Sequence, residues 1–224
     1  MLTIPEKLLL LALDDEKGRV VAAGGTALPF GLAGAVLVEL EMRGRIEVDK
    51  RQVRVVDARP TGDPILDNAL LNLSGSRKVR KPGDWLFQHN KLVPSLRERL
   101  LERLVQAGIL RRETHEFLWV FHFQRYPTEE DRPERVVRET LRAILFDGRT
   151  PAPEDAALLC LVHACNLARE VFPDYPAREA RSALKAFAEG DAVAAAVSAS
   201  VAAVTMMVTA AVAASITAST AASH

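Results

Sequence analysis

The residues best able to do chemistry in this chain are five histidines, His89, His115, His122, His163 and His224, and two cysteines, Cys160 and Cys165. No H-x-x-x-H or H-E-x-x-H spacing joins the histidines, and no cysteine pair accompanies them, so the sequence offers no metal centre. The cysteines lie five apart in LLCLVHACNLA. Five steps along a helix point two side chains in different directions, which disfavours a disulfide or a shared metal and predicts buried free thiols in a reducing compartment. His163, on the same apolar helix, reads as a hydrogen-bonded core histidine. Asp63 and Asp67 come nearest to a carboxylate pair, but the first stands where a helix cap belongs and the second in a first turn favoured by the dipole. There is no G-x-S-x-G elbow, Walker loop or G-x-G-x-x-G fingerprint. The expectation is a non-enzymatic protein that requires no cofactor and no metal.

What remains is charge and apolar surface. Arg77, Lys78, Arg80 and Lys81, followed by Lys91, Arg97 and Arg99, form the stretch where positive charge outweighs negative. Clustered cations of this kind attract phosphate, although most such runs are solvated loops. The overall balance of 29 basic and 29 acidic residues argues against polyanion binding across the whole surface. Arg135, Arg138 and Arg142 share a helical face with Glu134 and Glu139 and read as an ion-paired surface. From Glu113 to Gln124 the chain carries Phe117, Leu118, Trp119, Val120, Phe121 and Phe123 as an almost unbroken apolar strip. A plain edge hairpin should alternate apolar with polar. Either both faces are buried, or the strip meets a second subunit or a membrane interface, where Trp is well suited.

The elements that must position these groups are mostly helices. The run from Ala192 to Ser223 has no charged residue, and its Val193, Val197, Val201, Val204, Val208, Val212 and Ile216 recur at helical steps. A helix without charge on any side is expected to be buried on every side, here as the central post of a helical domain, breaking near Ser215. A membrane span is the other reading. Ala, Ser and Thr give it poor hydropathy, so the core helix is preferred. Upstream, Thr3-Ile4-Pro5-Glu6 has the form of a capping box before a helix from Lys7 to Leu13, and Phe30 to Met42 reads as a second helix. Arg45–Val48 and Val53–Val56 make one hairpin; Ile109–Arg112 and Phe117–Gln124 make another. Asp63 and Pro64 open a helix to Leu73, Asp84 caps a short turn, and Ser95-Leu96-Arg97-Glu98 looks like a second capping box for a helix ending at Gly108. Helices over about 133–146 and 154–170 follow. The N-terminal apolar run is too short to span a membrane and has no cleavage-type end, which points to a cytoplasmic location.

The order helix, Gly, strand, turn, strand, Pro occurs twice, around Gly44 and Gly108. A winged-helix nucleic-acid binder would give the same order, so that reading stays as the alternative. Neither candidate recognition helix carries a dense Arg, Lys, Asn or Gln face, which makes nucleic acid the less favoured partner.

Several stretches resemble the Golgi phosphoprotein 3 family of peripheral membrane proteins that bind phosphatidylinositol 4-phosphate. They are LLLLALDDEKG, GLAGAVLVELEMRGRI, PTGDPILDNAL, LRERLLERLVQAGIL and LVHACNLA, in family order over nearly the whole chain, and PTGDPILDNAL and RERLLERLVQAGIL are the most specific. The resemblance implies one mainly α domain over 1–224, with two small hairpins around a buried C-terminal helix. It implies a non-enzymatic lipid-headgroup-binding or adaptor-like protein, docked peripherally on an anionic membrane or on a partner protein. It also implies that the strip Phe117, Leu118, Trp119, Val120 and Phe121 serves homo-oligomer formation or membrane association. In the family's headgroup site, this chain holds Gly24 for a Trp, Ala33 for one Arg and Pro94 for another; Arg97 matches. The implied ligand-binding residues are therefore Arg97, with Lys91, Arg77, Lys78, Arg80 and Lys81 as substitutes for the lost charge, and selectivity for the 4-phosphate is expected to be lost. The Ala-, Arg- and Val-rich usage points to a bacterial member.

Overall fold

The computed structural model describes residues 2–14, 20–21, 25–49, 51–76, 80–117, 121–190, 193 and 196–221, with side chains described except at 114–117, 121–124, 200 and 216–221. The helices are α1 (Ile4–Leu11), α2 (Leu28–Met42), α3 (Pro64–Ser74), α4 (Pro82–Phe87), α5 (His89–Leu92), α6 (Leu96–Gln106), α7 (Arg132–Phe146), α8 (Pro153–Ala164), α9 (Ala168–Val171), α10 (Ala177–Glu189) and α11 (Ala199–Ala221). Two antiparallel hairpins interrupt them, β1 (Ile46–Val48) with β2 (Val53–Val55) and β3 (Glu113–Phe117) with β4 (Phe121–Arg125). The fold is mainly α, as the sequence implies.

The helix buried all round is α2. Leu, Ala, Val and Gly occupy it from Gly31 to Val38, and every one of those residues is buried, because α1, α8 and α11 pack around it. Two glycines make that close packing possible. A Cβ on Gly31 would collide with Cys165 Sγ, and one on Gly34 with Val208 Cγ2. Gly31-Leu32-Ala33-Gly34 is thus a pair of sockets, one for the end of α8 and one for α11.

The C-terminal helix starts later than the sequence suggests. The chain breaks at Val197–Ser198 rather than near Ser215. There Ser198 Oγ accepts a hydrogen bond from Val201 N (3.2 Å) and donates one to Glu41 Oε1 (3.0 Å), the first capping α11 and the second fixing it to the end of α2. The helix buries Val201, Val204, Val208, Ala211 and Val212 against α2, α8, α4 and β1. It is not enclosed on every side: Met206, Thr209, Ala210, Ala213 and Ala214 are exposed. Four of those five are small, so leaving that arc in water costs little apolar exposure. Among the described residues no helix is long and apolar enough to cross a membrane.

One arginine ties three helix ends together. The Thr3–Glu6 capping box opens α1, with Thr3 N and Oγ1 both donating to Glu6 Oε2 (2.7 Å each). Asp63 caps α3 by accepting from Ile65 N (2.9 Å) and Leu66 N (3.2 Å). Arg103 on α6 then bonds Glu6 Oε1 (2.7 Å), Asp63 Oδ2 (2.7 Å) and Thr3 Oγ1 (3.2 Å). Burial works against its charge, but the hydrogen bonds and charges of Glu6 and Asp63 outweigh that and raise its pKa. Asp67 lies in the first turn of α3, as expected, and has a further role: Thr61 N and Oγ1 both donate to its Oδ1 (2.6 Å), closing the turn around Gly62, whose φ of 82° is easy only for glycine. The two most specific motifs meet at Arg103 and Asp63, and what they do there is hold the fold together.

Several boundaries move. The helix expected over 154–170 stops at Ala164, turns through Asn166 at φ 57° and resumes as α9. Ile109–Arg112 is not a strand; Leu110 makes a single bridge to Thr128. In the second hairpin Glu113 pairs with Arg125 and Phe117 with Phe121. Phe117 and Phe121 therefore belong to opposite strands, β3 and β4, not to one strand from Phe117 to Gln124. Leu118, Trp119 and Val120 lie outside the described residues, as do the side chains of Phe117 and Phe121. Cys160 and Cys165 are buried free thiols. His163 is half-buried and has no hydrogen bond among the described residues; it sits at a helix margin, not in the core. Burial pulls its pKa down, against Glu189 and with Lys185.

Candidate functional site

A cavity of about 250 Å³ opens where α2, α5 and α6 converge. It is lined by Val20 and Gly25, by Leu28, Pro29 and Leu32 of α2, by His89 and Asn90 of α5, and by Leu96, Arg97 and Glu98 of α6. Two helices begin on it. At α2, Pro29 occupies the first turn and no side chain caps the end. At α6, the Ser95-Leu96-Arg97-Glu98 capping box does not form: Ser95 is left-handed (φ 50°, ψ 40°) and makes no side-chain cap bond. The first backbone bond of α6 is Arg99 N to Ser95 O (3.0 Å), and the amides of Leu96, Arg97 and Glu98 have no acceptor among the described residues. Free amides at a helix start, with the positive end of the macrodipole behind them, are an anion-binding arrangement. Here that end shares a cavity with an arginine and with the start of α2, which no side chain caps.

Arg97 is exposed and has no hydrogen bond or ion pair among the described residues. The other arginines of α6 are occupied: Arg99 donates to Pro64 O (3.1 Å), and Arg103 holds the network above. His89 and Asn90 add side-chain donors to the same wall. Glu98 brings a carboxylate to the rim and works against an anion there.

The remaining ligand candidates are placed unequally. Arg80 is committed inside the fold, donating to Gln88 Oε1 (3.1 Å) and Ser76 Oγ (3.3 Å) with its guanidinium 5.4 Å from the Trp85 ring centroid. It stays available for packing, not for a ligand. Lys81 and Lys91 are exposed, Lys91 one residue from the cavity-lining Asn90. Arg77 and Lys78 lie outside the described residues, as does Gly24. Ala33 is fully buried, so position 33 contributes nothing polar to the cavity. The expected row Arg135, Arg138 and Arg142 is ion-paired, to Asp131, Glu134 and Asp147.

The nucleic-acid alternative loses its first recognition helix, since α2 is buried along most of its length. The second, α6, spends Arg99 and Arg103 on contacts within the protein.

The sequence profile described as Golgi phosphoprotein 3 (GPP34) matches residues 4–204, from the start of α1 into α11. The chain belongs to that family. Vacuolar protein sorting-associated protein 74 of Eremothecium gossypii is 27% identical over 80% of this chain, which spans 64% of that relative's length. For a Golgi phosphoprotein 3 family member, the matched region contains both the Arg103 network and the α2–α5–α6 cavity. Of the residues that line the cavity, sequence reasoning named only Arg97 as a ligand candidate and missed Val20, Gly25, Leu28, Pro29, Leu32, His89, Asn90, Leu96 and Glu98. Pro29 as a first-turn proline was a visible signal of a helix start; the convergence of that start with α6 was not.

Proposed function

We propose that the α2–α5–α6 cavity receives the phosphate of an anionic lipid headgroup, and that the chain is a non-enzymatic, peripheral membrane-binding or adaptor-like protein. The observation that carries this is the meeting of two uncapped helix N-termini with an unpaired Arg97 on one cavity. Membership in the Golgi phosphoprotein 3 family supports it. With Arg97 the one arginine lining the cavity among the described residues, the site recognises a phosphate as charge, and its selectivity for the 4-phosphate of an inositol ring is weak. Self-association through the Phe117–Phe121 strip belongs to the same proposal.

The test is flotation with vesicles of neutral phosphatidylcholine, alone or mixed with phosphatidylglycerol. The protein is expected on the anionic vesicles only. Arg97→Glu removes one charge-assisted hydrogen bond of ~1.5–3 kcal/mol and should weaken binding roughly ten- to a hundredfold. Glu98→Gln should strengthen it. Wild-type binding by Arg97→Glu would overturn the assignment.

A further inference from the structure

Phe87, at the end of α4, is 55% exposed. Its ring packs edge-on against Phe30 (centroids 5.6 Å apart), and Phe30 packs edge-on against His89 (6.0 Å), which lines the cavity. The exposed ring is thus continuous with the cavity wall. Lys91, one turn further along the chain, is exposed and without a partner among the described residues. Asp84 of the same short helix is turned back to accept from Lys81 N (3.0 Å).

The C-terminal helix arrives at the same end of the molecule. Ser198 meets Glu41 at the end of α2, and Val208 seats on Gly34 nearer its start, so α11 runs antiparallel to α2. Its last turns lie at the Leu28–Phe30 end, from which the cavity opens. Those turns carry no charge, and Ala213 and Ala214 are exposed on them. Cations at a phosphate site, a protruding aromatic beside it and an uncharged helix end match the layers of an anionic bilayer, with phosphate outside and acyl chains beneath.

We propose that Phe87 and the turn of α11 that exposes Ala213 and Ala214 insert into the leaflet whose headgroup occupies the Arg97 cavity. This rests on the headgroup reading above. It places an anchor beside the cavity, separate from the β3–β4 hairpin, which follows the other end of α6.

The experiment compares flotation on phosphatidylglycerol vesicles with binding of soluble glycerol phosphate, read from amide chemical shifts, for the whole chain. Phe87→Ser and Ala214→Glu should each weaken vesicle binding about tenfold while leaving the phosphate titration unchanged. Phe87→Trp should bind vesicles as well as wild type, and Val136→Ser, which removes a 51% exposed apolar side chain on α7, should have no effect. If Phe87→Ser floats like wild type, the anchor is overturned and the headgroup site stands. If wild type binds phosphate but no vesicle, the membrane reading and the anchor fall together.

Discussion

Replacing Gly34 by Ala tests the packing that places every other element. The new Cβ would fall closer to Val208 Cγ2 than real Cβ atoms come, and Val208 is fully buried, so the methyl has nowhere to go. Overpacking of this kind costs ~1–3 kcal/mol, from which the helix-propensity gain of about 1 kcal/mol for Gly→Ala must be subtracted. Val208→Ala alone removes two buried methyl groups and leaves a void, at a cost of about 2 kcal/mol. When Gly34→Ala and Val208→Ala are combined, the methyl added on α2 enters the space vacated on α11, and the propensity gain remains. The double variant should therefore lie within about 1 kcal/mol of wild type and be more stable than Val208→Ala alone. Thermal unfolding followed by far-ultraviolet circular dichroism gives the answer, since 1 kcal/mol moves the midpoint by roughly 2–4 °C in a chain of this size. Additive losses would refute the seating of α11 on Gly34. They would also refute the antiparallel course that brings its last turns to the cavity.

Arg103→Met should leave Glu6 and Asp63 without their cation; with Arg103's side chain 27% exposed the loss is about 2–3 kcal/mol, a fall of roughly 4–12 °C in midpoint, and Arg103→Lys should fall between the two. Burial pushes the thiol of Cys160 up to about 11, a Thr205 hydrogen bond opposing, and burial pushes Cys165 up to about 12. Folded values above the unfolded one of 9.0 mean that their contribution is intact below that pH and is lost as pH climbs through 11 to 12. The midpoint should therefore drop more steeply above pH 9.0 in wild type than in Cys160→Ala/Cys165→Ala. A thiol reagent should label neither cysteine until the protein is unfolded. Trp119→Ser with Phe121→Ser should shift sedimentation towards monomer without loss of helicity; unfolding would place the strip in the core instead.

The helical class was legible because the apolar residues recur at helical steps, and the capping signals at Thr3–Glu6 and Asp63 form, as does a bond from Lys81 N to Asp84 at the start of α4. The Ser95 box fails for a reason no local pattern contains. Ser95 adopts a left-handed conformation, and its side chain does not cap the helix that follows. Arg80 looked like a free cation because Trp85 and Gln88, near in sequence, gave no sign of turning back onto it. The uncharged C-terminal run was read as wholly buried from its lack of charge. Small residues tolerate water, however, and the helix that must be enclosed is α2, whose two glycines admit its neighbours. The cavity is least legible of all, since it is made by the starts of two helices far apart in sequence. Of its lining, Arg97 alone was marked, first as one cation of a basic stretch and then by the resemblance.

The most direct test of the account is a titration of glycerol phosphate into the isotopically labelled protein, followed residue by residue at the backbone amides. The largest shifts are expected at Leu96, Arg97 and Glu98, with smaller ones at Leu28 and Phe30, and all of them should vanish in Arg97→Ala. Shifts confined to Lys81 and Lys91, with the start of α6 silent, would contradict it.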